Sequence, residues 1–277
     1  MGRSHAIIGD VHGALGPLET LVAKLELSSG DHLIFVGDLV DKGPDPAGVV
    51  RFIRHLHETA PFKVTLIEGN HEDKHRRYYA NKTKRPKVAK AMAVMSRELR
   101  DLDKALCVAD RDFLATAIPF LRLPDWKVLI VHGGIPQDLT IFPGTVEQAN
   151  ALKGKARTSF RKILRTRYVS KINGRFLAYG EESPGDPFWA ETYDGRFGHV
   201  LFGHQPFMEG PACYSHATGL DTACIHGGSL TALVLPERGR PHFESVTGIE
   251  VKPFKAEKAP PYPAKKFTLV WPDSSNI

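Results

Sequence analysis

Short apolar runs alternate along the chain with stretches whose apolar residues recur every three or four positions. The runs are His5–Ile8, His32–Val36, Lys63–Ile67, Val128–Val131 and His199–Phe202. Each is too short for a helix and is followed closely by a glycine, so each predicts a buried β-strand. Residues 14–27 and Pro46–Leu56 carry apolar positions at helical spacing and predict amphipathic helices. Strand, helix and strand in alternation predict a layered α/β fold.

The pattern changes after Glu72. Residues 74–124 predict a mostly helical, basic insertion that opens with Lys74, Arg76, Arg77 and Lys82. A helical stretch follows at about 88–104, and Asp112–Pro119 predicts a further short helix. A second basic run, Lys153 to Lys171, contains no acidic residue and suits a phosphate-rich ligand. Residues 175–198 are Gly- and acid-rich and predict a loop, and Gly219–Leu235 predicts two closing strands. A main domain over 1–250 is therefore expected, followed by a Pro- and Lys-rich extended tail over 251–277.

Composition narrows the function classes. With 277 residues, 42% of them hydrophobic, the chain can bury a substantial core as one domain. It has no apolar run of about 18 residues, so no membrane span is expected. Met1–His5 leads straight into the first strand, leaving no room for a secretory signal. Cys107, Cys213 and Cys224 lack metal or redox spacing and read as free thiols in a reducing cytosol, so a cytoplasmic location is expected. The net charge of +6 favours anionic partners without naming one. Neither basic run carries the aromatic interleaving of a single-strand platform, so stable nucleic-acid binding is not expected.

The candidate chemistry lies where the strands end. The five runs lead into Gly9-Asp10-Val11-His12-Gly13, Gly37-Asp38-Leu39-Val40-Asp41-Lys42-Gly43, Gly69-Asn70-His71-Glu72, His132-Gly133-Gly134 and Gly203-His204-Gln205. Ligand sites of α/β sheets form at the carboxyl ends of strands, so these residues should converge on one edge. Asp10, His12, Asp38, Asn70, His132 and His204 mix carboxylate, amide and imidazole donors. That mixture suits manganese, iron or zinc better than calcium. Six donors exceed what one catalytic ion with an open position needs, and they fit two ions sharing a carboxylate. Asp38 is the expected bridge, with Asp10 and His12 on one ion and Asn70, His132 and His204 on the other. Two such cations would generate hydroxide at neutral pH and neutralise a phosphoryl group during in-line attack. His71 is then free to protonate the leaving oxygen, Asp41 to orient it, and Lys42 to set a positive charge beside the phosphate.

Taken together, these motifs resemble the calcineurin-like metallophosphoesterases, and more narrowly the branch of phosphoprotein phosphatases and symmetrical diadenosine tetraphosphate hydrolases. Gly219-Leu220-Asp221-Thr222 and Gly227–Leu233 resemble the closing strands of that branch. The resemblance implies a β-sandwich flanked by helices and a dinuclear centre with two divalent ions, manganese first. It carries the metal-ligand roles to the six residues named and the acid and its supporting carboxylate to His71 and Asp41. The chain departs at Lys42, where the protein phosphatases of the branch carry arginine. A lysine cannot form the bidentate fork arginine offers a phosphate, which favours a dinucleoside polyphosphate or similar anhydride over a phosphoprotein. A serine/threonine phosphoprotein phosphatase is the alternative, and a non-catalytic scaffold the next. For the second phosphate-binding arginine the candidates are Arg167 and Arg196. His226, His199, His216 and His75 read as lining the site or packing in the core, and Trp189 as a core anchor.

Overall fold

The computed structural model describes residues 4–251, so the expected tail lies outside the described residues from position 252 onward. Strands β1 (His5–Ile8), β2 (His32–Phe35) and β3 (Lys63–Leu66) run parallel. With β9 (Ser229–Leu235) and β10 (His242–Thr247) they form a five-stranded sheet in the order β10-β9-β1-β2-β3. A second five-stranded sheet contains β4 (Leu121–Leu123), β5 (Val128–Ile130), β6 (His199–Phe202), β7 (Ala212–Tyr214) and β8 (Ala217–Gly219), ordered β4-β5-β6-β8-β7.

The two sheets pack face to face, and the side-chain period of two explains why their strands read as unbroken apolar runs. Ile7, Ile34, Val36 and Ile67 face inward and meet Leu123, Val128, Ile130 and Leu201 of the other sheet. Their neighbours Ala6, Ile8, Leu33 and Phe35 face outward and are covered in turn by helices. Both faces of β1, β2 and β5 are therefore buried, and alternation with polar residues disappears there. Each fully buried Leu or Ile stabilises the sandwich by about 1.5–3 kcal/mol relative to exposure.

Helices α1 (Leu15–Lys24) and α2 (Pro46–Thr59) cover the first sheet through Leu18, Leu21, Val50 and Ile53. Asp45 starts α2 by accepting the Gly48 amide at 2.7 Å, with Pro46 at the first helical position, where its missing N–H costs nothing. Helices α3 (Asn70–Lys84), α4 (Pro86–Met95), α5 (Arg97–Ala105) and α6 (Val108–Leu114) follow β3. The second sheet is covered by α7 (Val146–Ala151), α8 (Gly154–Phe160), a 3-10 turn at Arg161–Leu164 and α9 (Trp189–Thr192). Trp189 is buried there against Phe188 and Phe202, the core anchor expected. No helix among the described residues is long and apolar enough to cross a membrane.

Two expectations are corrected. The helix placed at Asp112–Pro119 lies earlier, because the Asp110 carboxylate accepts the Cys107 amide and starts α6 there. Its expected end instead pairs with the β3 edge, Ile118 donating to Leu66 and accepting from Glu68. Gly219–Leu235 holds one full strand rather than two. Gly219 ends β8 in the second sheet, and β9 finds its closing partner in β10, further along.

Candidate active site

The five polar motifs lie just past the carboxyl ends of β1, β2, β3, β5 and β6. Those strands belong to different sheets, and hydrogen bonds join their ends across the sandwich. His132 Nδ1 donates to the Val36 carbonyl at 3.0 Å, and the His204 amide donates to the Asp10 carboxylate at 3.0 and 3.1 Å. Reaching this point bends the backbone hard: His12, Asp38, Asp41, Lys42 and His204 have φ of 46°, 50°, 68°, 62° and 69°. Left-handed backbone costs a non-glycine residue about 1–2 kcal/mol, so the strain is concentrated at this edge. Glu72 offsets part of it by accepting the amides of Asp38, Leu39 and Gly69 at 2.7, 2.9 and 2.9 Å. Gly37 is required for a second reason. At its φ of 105° a Cβ would press on the Gly69 backbone and the His132 ring.

Asp38 stands at the centre of the cluster. Its Oδ2 lies 3.6 Å from His12 Nε2 and 3.7 Å from His71 Nε2, and its Oδ1 lies 3.3 Å from His132 Nε2. Asp10 Oδ2 is 3.8 Å from His12 Nε2, Asn70 Oδ1 is 3.0 Å from His132 Nε2, and the His204 ring packs on His132 with centroids 5.1 Å apart. His12 Nδ1 donates to the Val40 carbonyl at 3.0 Å. In both His12 and His132 this bond keeps the proton on Nδ1 and turns Nε2 toward the centre. Two possible ligand groups result, His12–Asp38–His71 and Asp38–His132–His204, with ligand atoms within 4.8 Å of one another and Asp38 common to both.

His71 thus sits at the centre beside the expected ligands. Its Nδ1 pairs with Asp41 Oδ2 at 2.6 Å, leaving Nε2 to face inward. Asp41 is also gripped by Lys74, and through its other oxygen by His75 Nε2 at 2.8 Å. Lys42 Nζ lies 2.8 Å from His12 Nε2. The two candidate arginines are separated. Arg167 donates to the His204 carbonyl at 2.7 Å, and its buried Nε has no partner. Arg196 is exposed and donates to Asp194 at 2.8 Å and to the Gln137 carbonyl at 3.1 Å, neither of which belongs to the cluster.

Burial is the largest influence on the titrating groups of this edge. Burial, reinforced by Asp221, pushes the Asp10 carboxyl well above its ordinary range, and burial also raises Asp221. Burial and the Asp38 charge lift Glu72 to about 7. Burial would raise Asp38 too, but His132 and His71 outweigh it and hold Asp38 well below the ordinary value. Burial disfavours a charged His132, yet Asp38, Asp10 and Glu72 lift it to about 9. Burial keeps His12 and His204 well below theirs, with Lys42 adding to the first and Arg167 to the second. Asp41, despite its burial, is held low by hydrogen bonds from His71 and His75. Buried carboxylates beside the neutral imidazoles of His12 and His204 and the Asn70 amide are a donor set that fits borderline-hard divalent cations.

Three residues at the site were not among those singled out for a role. Glu72 braces the backbone and Asp221 adds buried negative charge. His75, read as lining or core, is a second support for Asp41. A signal existed for His75: it follows His71 by four residues, one turn along α3, so both rings meet the same carboxylate. His199 fits the core reading, with burial lowering its imidazole to about 4, whereas His216 is exposed. Four arginines of the two basic runs meet protein acids. Arg76 and Arg161 grip Glu68 and Asp73, while Arg77 and Arg165 pair with Asp73. Their charge is met by two buried acids that lie far from Arg161 in sequence.

The profile of the calcineurin-like phosphoesterases matches residues 5–217. Among curated relatives, bis(5'-nucleosyl)-tetraphosphatase PrpE, designated asymmetrical, from Oceanobacillus iheyensis is 30% identical over 270 residues, covering 91% of this chain and 94% of its own. The protein of the same name from Halalkalibacterium halodurans is 31% identical over 252 residues, covering 83% of this chain and 89% of its own. A crystal structure provisionally named a diadenosine tetraphosphatase superposes with a TM-score of 0.64 at 26% identity, covering 89% of this chain and 94% of that one. With the family profile spanning most of the chain and relatives alike over nearly their whole length, this chain belongs to the calcineurin-like phosphoesterase family and is a hydrolase of phosphoric esters or anhydrides.

Proposed function

We propose that this hydrolase cleaves dinucleoside polyphosphates at a centre holding two divalent cations, manganese first. The observation that carries the reading is the convergence on Asp38 of donors from both sheets, with His71 facing the same point. Asp10 and His12 would hold one cation with Asp38, and Asn70, His132 and His204 the other. Bound there, the cations supply charge neutralisation for the phosphoryl group and an activated water.

The chain's own groups supply the rest. His71, oriented through Nδ1 by Asp41, presents Nε2 to hand a proton to the leaving oxygen. His75 and Lys74 keep Asp41 in place. Lys42 and Arg167 bring positive charge to the substrate phosphates, Arg167 within electrostatic reach of Asp221, Asp38 and Asp10. A lysine at position 42 offers a point charge in place of a planar fork, which fits a flexible polyphosphate chain better than one fixed phosphoryl group.

The relatives' designation as asymmetrical supports a cut at an outer anhydride. Water added across an outer anhydride of a four-phosphate chain puts OH on one phosphorus and H on the leaving oxygen, giving a nucleoside monophosphate and a triphosphate. This reading departs from the symmetrical cut, with two diphosphates, that the sequence resemblance implied. The test is metal-stripped enzyme reconstituted with Mn²⁺ on diadenosine tetraphosphate, a phosphothreonine peptide alongside, with products separated by chromatography. AMP and ATP in equal amounts are expected. Two ADP would restore the symmetrical cut, and turnover of the peptide alone would make the protein a phosphoprotein phosphatase.

A further inference from the structure

The loop over 175–182 brings two aromatic rings, those of Phe176 and Tyr179, to cations of the basic segment 153–171. Lys162 Nζ lies 5.7 Å from the centre of the Phe176 ring, and Arg167 Cζ lies 6.0 Å from the centre of the Tyr179 ring. Both are cation–π distances. Arg167 is the arginine whose other contact is the His204 carbonyl, so it spans from the cluster to Tyr179. Tyr179 is nevertheless 67% exposed, an unusual state for a large aromatic side chain beside a buried, charged site.

The loop is built to hold that ring in place. Leu177 donates to the Tyr168 carbonyl at 3.2 Å, and Phe176 bridges Val169, tying the loop to the strand-like stretch that carries Arg167. Glu181 accepts the Ala178 amide at 2.8 Å, and Glu182 accepts the Gly180 amide at 2.7 Å. The two acids beside Tyr179 are thus engaged by the loop's own amides.

We propose that Tyr179 is the stacking platform for a nucleobase of the substrate, with Arg167 as the link between that base and the phosphates at the cluster. This rests on the dinucleotide reading above. Every base has a π-face, so a lone tyrosine selects for nucleotides without choosing among bases. A ring that is 67% exposed to solvent beside a guanidinium is placed to take a base on its solvent-facing side.

The test compares wild type, Tyr179→Ala and Tyr179→Phe, each loaded with Mn²⁺. KM and kcat are measured on diadenosine tetraphosphate, with inhibition constants for AMP and for inorganic phosphate, which has no base. Expected for Tyr179→Ala is a rise of about tenfold in KM and in the AMP constant, the worth of one base–aromatic stack. Its kcat should fall less than about twofold, its phosphate constant should hold, and Tyr179→Phe should restore KM. An unchanged KM in Tyr179→Ala, or an equal rise in the AMP and phosphate constants, overturns the platform while leaving the dinucleotide reading intact. A wild type that turns over the phosphopeptide but not the dinucleotide overturns both.

Discussion

A single carboxylate, Asp38, is shared between the two ligand groups, and the residue takes up left-handed backbone to be there. Its neighbours are arranged to make that position tenable: Glu72 accepts its amide, and the His71 amide donates to its Oδ1 at 3.0 Å. The set Asp10, His12, Asp38, Asn70, His132 and His204 was legible in the sequence because each follows a strand at a glycine turn. Asp221 was not, since a lone Asp in a closing segment carries no spacing signal. His71 is the residue whose role most needs separating, because its Nε2 faces the centre whether it acts as acid or as ligand. His71→Asn should retain bound manganese while turnover falls about 10²–10⁴-fold. The fall should be steeper for phenyl phosphate than for p-nitrophenyl phosphate, whose leaving group needs no proton. Loss of metal in the purified variant would make His71 a ligand, and equal losses on the two esters would end the acid assignment.

At the scale of elements, α3 does more than follow β3. It begins at Asn70, so its first turn carries His71, Glu72 and Asp73 into the site and against the segment after α8. There Ile163 accepts the amides of Gly133 and Gly134 at 2.8 and 3.0 Å, which ties the His132 turn to the same segment as Arg161 and Arg165. The sequence showed these basic residues but not their partners, because Glu68 and Asp73 approach Arg161 only after the two sheets have packed. Burial would raise the Asp73 carboxyl, but Arg161 and Arg165 hold it below its ordinary value of 3.8. Asp73→Asn should therefore lower stability near neutral pH by about 1–3 kcal/mol, seen in urea unfolding. A carboxyl depressed in the folded state contributes above its unfolded value and loses that contribution as pH falls through the folded one. The gap between wild type and variant should accordingly close below about pH 4. A gap that stays constant into acid would mean the carboxylate's charge is not what stabilises this contact.

For the whole molecule, the site is the seam between two sheets. Asp10, His12, Asp38 and Asn70 come from the first sheet's strand ends, His132 and His204 from the second's. A cation shared through Asp38 would cross-link them, so metal-stripped protein should unfold at a lower temperature than manganese-loaded protein. Ligand at a hundred times its dissociation constant adds about 2.7 kcal/mol to the folded state. Asp38→Asn should lose most of the rise in calorimetry; a full rise in that variant would remove Asp38 from the shared position. By itself the sequence determined the five strands that carry the motifs, β1, β2, β3, β5 and β6, and the α/β layering, because apolar run length and glycine placement are local properties. It also determined that donors of mixed type would gather on one edge, since each motif follows a strand. Tertiary structure decided how the strands divide between two sheets, which acids meet which arginines, and that Tyr179 lies beside Arg167. Those are contacts between residues distant in the chain, and a linear pattern records which groups are present but not which of them folding will place within hydrogen-bonding reach.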